Sequence, residues 1–253
     1  FMQSNGQIYG LYIHWRLTYL LAMQLFFWKD FLDLIFPRNC PLCKQALFEF
    51  EACLCTVCKG LLPRANFHLR PFDNELTSKL QGLIPVHRVI AFLHFSKNGR
   101  SQNLLHQLKY KNQPEIGEEL GRMYGSTLDL NGFSGLWDVV VAVPLHSRKK
   151  ARRGYNQSEC FGRGLSKSLG IPYSELLVRR KFTDTQTNKS RLERLTNVEN
   201  VFELQPGVPI QELRVLLVDD ILTTGATLCA AATALLEGGA KLVDLATIAA
   251  GGR

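Results

Sequence analysis

"VLLVDDILTTGATL", Val215 to Leu228, decides how this chain is to be read. Four apolar residues run as a buried strand does and stop at two adjacent carboxylates, Asp219 and Asp220. Thr223, Thr224, Gly225, Ala226 and Thr227 follow as a cluster of hydroxyl and small side chains, and Ala226–Glu237 predicts a helix. A helix that opens straight after a strand presents backbone N–H groups without intrahelical partners, and its dipole is positive there. Small side chains let a phosphate come close to those amides. The bend is not a Walker A loop, because no Gly-Lys-Ser/Thr ending is present. Asp219 and Asp220 would repel phosphate and must meet another group. A vicinal diol donating hydrogen bonds to them, with Mg²⁺ close by, suits their chemistry. Phosphate on one side and a diol on the other describe a ribose 5-phosphate. The plainer alternative is a helix-capping pair at a strand end.

Outward from this stretch, strand and helix alternate. "VHRVIAFLHF" (86–95) and "WDVVVAVP" (137–144) predict strands, "RVLLVDD" (214–220) another, and "KLVDLATIA" the last, with "LLVRRK" a further candidate. Helical periodicity marks "SQNLLHQLKYK", "PEIGEELGRMYGSTL" after Pro114, and Asn156 to Leu169. Continuous β-branched runs separated by helices predict a parallel sheet flanked by helices, an α/β fold. Ligands of such sheets bind beyond the carboxyl ends of the strands. Two strand ends carry chemistry: the loop from Pro144 and the pair Asp219–Asp220. The 253 residues, 46% hydrophobic and 21% charged, suit one globular domain with a small appendage.

The net charge of +8 is unevenly spread, since Pro144 to Arg194 holds 13 Lys/Arg against 4 Asp/Glu, a balance of +9. That stretch is a candidate anion site, with a solvated basic face as the alternative. "RKKARRGYNQ" follows a strand end, which favours a ligand loop over a nucleic-acid contact. Lys109 and Tyr110 fall on a helix face, where packing alone would account for them. Asn156 and Gln157 open a helix and serve as caps.

Cys40-x2-Cys43 and Cys55-x2-Cys58 stand eleven residues apart. Two facing CxxC turns make the tetrahedral thiolate cage that Zn²⁺ prefers, and a closed set of four has a structural role. Disulfides suit a cytosolic chain poorly. Cys53 competes with Cys55 as a ligand, and Cys55 is preferred because it completes the motif. Cys160 and Cys229 sit in apolar helical contexts. The six histidines lack metal-ligand spacing. The apolar run Leu17 to Trp28 is broken by Lys29, Asp30 and Asp33, well short of the ~20 residues that span a bilayer. "FFWKDFLDLIF" offers no small-residue cleavage site. These features predict a cytoplasmic protein without membrane insertion. The expected organisation is a leader or docking helix over residues 1–36, of which 1–22 precede Met23, a plausible start. A zinc module follows over 37–63, a connection over 64–85 and the α/β domain over 86–253.

"VLLVDDILTTGATL" resembles the phosphoribosyl pyrophosphate (PRPP) signature of type I phosphoribosyltransferases. "LKYKNQPEIGEELGRMY" (108–124), "VVAVPLHSRKKARRGYNQSECFGRGLS" (140–166) and "RRKFTDTQTNKSRLERLTNVENVFEL" (179–204), behind the double CxxC, resemble the ComF family of competence-associated phosphoribosyltransferase-like proteins. The resemblance runs from about Leu34 to the C-terminus and implies a type I phosphoribosyltransferase fold. It assigns Asp219 and Asp220 to the ribose hydroxyls and the Mg²⁺ environment, and Thr223, Thr224, Gly225, Ala226 and Thr227 to the 5-phosphate. It places Pro144, Arg148, Arg152, Arg153 and Gly154 near the pyrophosphate, and Gln186 and Arg191 in a mobile flap. Lys109 joins this set. The implied chemistry is displacement of pyrophosphate from PRPP by a nitrogen nucleophile. Thr223 stands where purine-salvage relatives carry an Asp near the acceptor base, and no glutaminase domain precedes the module. The alternative implied by the resemblance is a non-enzymatic, nucleotide-sensing part of the DNA-uptake machinery that contacts single-stranded DNA or competence proteins.

Overall fold

The computed structural model describes residues 36–179 and 201–251. The chain divides into two compact units, Phe1–Cys55 and Thr56–Arg253. Within the first, Arg38 to Leu47 fold back in a tight knuckle, with Asn39 bridged to Ala46 and the Lys44 amide donating to the Cys40 carbonyl. Lys44 takes φ 66° at the bend, and its ammonium caps the Pro41 carbonyl at 2.8 Å. Phe48 and Phe50 stack beyond it, with ring centroids 5.6 Å apart.

The second unit is built on four parallel strands. In chain order these are β1 (Val89–His94), β2 (Val139–Ala142), β5 (Arg214–Leu222) and β6 (Leu242–Ala250), arranged β1-β6-β5-β2. β5 lies inside the sheet, with Val215 in register with Val139 on one side and Val243 on the other. The continuous apolar runs have their predicted cause: Ile90, Leu93, Val140, Leu216, Leu217, Leu245 and Ile248 are all solvent-inaccessible. β3 (Leu177–Arg179) and β4 (Phe202–Leu204) form a separate antiparallel ribbon, so "LLVRRK" is a strand outside the main sheet.

Both sheet edges are covered. Residues 63–65, where the predicted zinc module meets the predicted connection, run beside β1: Ala65 N–H donates to the Phe92 carbonyl and His94 N–H to the Pro63 carbonyl. At the other edge, Val140 exchanges hydrogen bonds with the chain around Tyr173. Open edges would otherwise invite pairing with another chain.

The helices are α1 (Thr56–Gly60), α2 (Glu75–Leu80), α3 (Arg100–Tyr110), α4 (Pro114–Leu130), α5 (Ser147–Arg153), α6 (Gln157–Leu169) and α7 (Ala226–Glu237). α4 begins with Pro114 in its first turn, where a missing N–H costs nothing. Its buried stripe, Ile116, Leu120, Tyr124 and Leu128, recurs every four residues. Beside that stripe run Gly117, Gly121 and Gly125, and α6 sits on them in near backbone contact. A Cβ on Gly121 would lie 2.2 Å from the Phe161 carbonyl oxygen, and one on Gly164 2.1 Å from that of Glu118.

At the amino end of the sheet, Asp244 on β6 is fully buried and accepts three hydrogen bonds. They come from the Arg88 amide at 2.9 Å, the Arg88 guanidinium at 2.9 Å and the Trp137 indole at 2.8 Å. One carboxylate thereby joins the lead-ins to β1 and β2. No helix among the described residues is long and apolar enough to cross a membrane.

Candidate functional site

β5 runs two residues further than the predicted 214–220, to Leu222, and carries Asp219 and Asp220 near its end. Thr223 and Thr224 then form the bend, and Gly225 closes it with φ 85°, a left-handed conformation that glycine adopts without the Cβ penalty. α7 opens at Ala226, so the bend lies at a helix N-terminus. Asp219, Thr223, Thr224, Gly225, Ala226 and Thr227 line one shallow hollow together with Ile221 and Leu228. Of the residues predicted to hold a ribose 5-phosphate, all but Asp220 line this hollow, with the threonines exposed and Gly225 buried.

Three residues that the sequence did not single out hold this turn. The Ser158 hydroxyl, in the first turn of α6, donates to Asp219 Oδ1 at 2.8 Å, and the Asp220 amide donates to the same oxygen at 2.8 Å. Lys79 of α2 donates to the Thr223 carbonyl, and Leu80 packs on Gly225. A substituent on Gly225 would come within 2.3 Å of Leu80 Cδ2. The partnership of Lys79 with Thr223 spans 144 residues of chain, and no local pattern announces it. Ser158 carried one faint signal, its place just after a predicted cap. Asn156 is that cap, accepting from the Ser158 amide at 3.2 Å and donating to the Val143 carbonyl at 3.0 Å.

Lys109 is more than helix packing: its ammonium lies 2.8 Å from Asp220 Oδ2. Burial pushes the Asp219 pKa up and the neighbouring charge of Asp220 pushes it further, against Ser158, the Asp220 amide and Lys109. Burial lowers the Arg179 pKa, while the charge of Asp219 opposes that shift. Carboxylate oxygens are the hard donors that Mg²⁺ takes. Lys109 engages Asp220 Oδ2 and two donors engage Asp219 Oδ1, and Asp219 and Asp220 are the residues here that could hold such an ion.

The basic segment after β2 is a short helix, α5, rather than a loop. It separates the residues predicted to lie near pyrophosphate. Pro144 faces a cavity with Lys150, Glu159, Tyr173 and Arg179. Arg152, Arg153 and Gly154 line a second cavity with Lys109, Tyr110 and Asn112. In the latter, the Arg153 guanidinium lies 5.4 Å from the Tyr110 ring centroid and donates to Gln157 Oε1 at 2.7 Å. Arg148 is exposed on α5, and lines neither cavity. Gln186 and Arg191 lie outside the described residues.

Cys40, Cys43, Cys55 and Cys58 bring their sulfurs within 4.8 Å of one another, and Cys55 rather than Cys53 belongs to the set. The Cys43–Cys55 separation of 3.6 Å is close to the ~3.8 Å edge of a tetrahedron with Zn–S bonds of about 2.3 Å. Burial raises the Cys40 pKa, but the amides of Cys43, Cys55 and Leu42 outweigh it and bring the thiol down to about 7. Four closely placed thiols fit a structural metal ion such as zinc.

Residues 106–253 match the phosphoribosyl transferase domain family, more than half of the chain. DNA utilization protein YhgH of Salmonella typhimurium is 31% identical over 220 residues, 83% of this chain and 95% of that protein. Competence protein ComFC of Streptococcus pneumoniae is 32% identical over 204 residues, 76% of this chain and 84% of that one. Among solved structures, the glutamine phosphoribosylpyrophosphate amidotransferase of B. subtilis matches with a TM-score of 0.39 and 25% identity, over 53% of this chain and 26% of that one. The family match, the two relatives and the acid-pair-and-threonine turn on a parallel sheet behind four clustered cysteines agree, and the chain belongs to the ComF family of phosphoribosyltransferase-domain proteins.

Proposed function

We propose that this protein binds PRPP with Mg²⁺ at the end of β5 and transfers its phosphoribosyl group to a nitrogen acceptor, releasing pyrophosphate. One observation carries this: Asp219 and Asp220 end a central strand directly before the Thr223–Thr227 bend that opens α7. In this reading the amides and hydroxyls of the bend hold the 5-phosphate, and Asp219 and Asp220 accept from the 2- and 3-hydroxyls. Ser158 and Lys109 keep those carboxylates in place, while Lys150 and Arg179 or Arg152 and Arg153 face the leaving pyrophosphate. Mg²⁺, when bound, would neutralise charge on the departing phosphates. The transition state resembles an oxocarbenium ion, as in glycoside cleavage, so the side chains' task is to hold the sugar and shed water.

The test is PRPP-dependent thermal stabilisation in the presence of Mg²⁺, followed by pyrophosphate release across a panel of nitrogen acceptors. Asp219→Asn combined with Asp220→Asn should abolish the stabilisation. Stabilisation that persists unchanged in that variant would reject the site, and tight PRPP binding without turnover would reject the transferase activity.

The names of the relatives favour a second reading, a non-enzymatic module in the handling of incoming DNA. Arg148, Lys149, Lys150 and Arg152 are exposed on α5 and suit phosphate contacts. Affinity for single-stranded DNA should then fall steeply with salt, and a flat response would remove that limb. We further place this protein in the cytoplasm, with residues 37–63 acting as its zinc module.

A further inference from the structure

The donors around the acid pair are divided unequally. The Ser158 hydroxyl and the Asp220 amide both serve Asp219 Oδ1, whereas the partner of Asp220 is the Lys109 ammonium, 2.8 Å from Oδ2. The Lys109 and Asp220 side chains are only 21% and 14% exposed, so this contact is not the fully hydrated kind that contributes almost nothing. The lysine is also held from behind. Tyr155 donates its hydroxyl to the Leu108 carbonyl, and the Arg153 guanidinium lies on the Tyr110 ring. Leu104, Leu105 and Leu108 bury the inner face of α3, and Lys109 is not among the buried residues of that helix. The last turn of α3 is thus pinned on both sides of Lys109, and its side chain reaches one carboxylate oxygen.

We propose that Lys109 is a positioning residue for the sugar: it balances the charge of Asp220 and aims that carboxylate at the ribose hydroxyls. Recognition of the diol then depends on Lys109, while recognition of the 5-phosphate does not. The proposal rests on reading the end of β5 as a PRPP site. It also makes a distinction that simple attraction of anions does not. A lysine acting only through its positive charge would favour any sugar phosphate equally.

Ribose 5-phosphate and 2-deoxyribose 5-phosphate carry the same phosphate, but only the former carries the vicinal diol. Their dissociation constants are to be measured on the full chain, for the wild type, Lys109→Met and Lys109→Arg. Lys109→Met should weaken ribose 5-phosphate about tenfold, the loss of one charge-assisted contact, and 2-deoxyribose 5-phosphate less than about twofold. Lys109→Arg should restore most of the affinity for ribose 5-phosphate, which a loss through misfolding would not predict. Equal weakening of both sugars, or no weakening of either, would overturn the proposal. If the wild type binds neither sugar, nor PRPP with Mg²⁺, the site itself is wrong and the role of Lys109 falls with it.

Discussion

Gly225→Ala separates two costs that the structure places at one atom. Gly225 has φ 85°, where an L-residue loses about 1–2 kcal/mol to contact between its Cβ and the backbone. The added methyl would also lie 2.3 Å from Leu80 Cδ2, well inside the ~3.5–4 Å optimum for carbon atoms. Leu80 is solvent-inaccessible, so relieving that overlap in packed surroundings adds about 1–3 kcal/mol. The single variant should therefore lose about 2–5 kcal/mol. Leu80→Ala alone should cost about 2–5 kcal/mol through the cavity it leaves. In the double variant the methyl enters that cavity, and the added cost of Gly225→Ala should shrink to the backbone share of about 1–2 kcal/mol. Urea unfolding of the four proteins measures the cycle. If Gly225→Ala costs the same with and without Leu80, then α2 is not seated on the bend and the contact has no energetic weight.

Two further outcomes follow from the buried groups. Asp244→Ala strands the Arg88 guanidinium, the Arg88 amide and the Trp137 indole without their acceptor, and should lose about 3–5 kcal/mol. For a unit of this size that lowers the melting temperature by about 6–20 °C in scanning calorimetry; a drop under about 2 °C would mean that Arg88 and Trp137 find other partners. The wild type should carry about one zinc ion per chain and Cys40→Ser none, by elemental analysis of purified protein, and equal metal in both would refute the four-thiol site.

The signals legible in the sequence were those with a local cause. α7 is found over Ala226–Glu237 as predicted, because a glycine bend and an alanine-rich run specify a helix without outside help. The four sheet strands declared themselves through continuous burial, and the cysteine set through its spacing. α5 was missed because "SRKKARR" has no apolar face and no buried residue; its helical turns rest on His146 as cap and Gly154 as terminator. α2 hid inside an apparent connection, since six residues are too few to show a period, and only the Asn74 side chain, accepting from the amides of Leu76 and Thr77, marks its start. Ser158, Lys79 and the contact of Lys109 with Asp220 were obscure for a shared reason. Each acts across tens of residues of chain on a turn that its own neighbourhood does not mention.

The glycine face of α4 bears on how this protein can vary. Where α6 rests on this stripe, Gly121 faces the main chain of Phe161, Gly164 and Leu165, and Gly117 and Gly125 face the Cβ atoms of Cys160 and Ser168, so even the smallest side chain would collide with α6. Ser158 rides on α6 and reaches Asp219 across a length fixed by that seat. Drift in the surrounding core can be absorbed elsewhere, but here a single methyl group would lift α6 and withdraw its hydroxyl from the acid. A library randomised over this stripe should therefore yield almost nothing but glycine, and the stripe belongs with the ligand-binding residues when variants of this protein are sorted by effect.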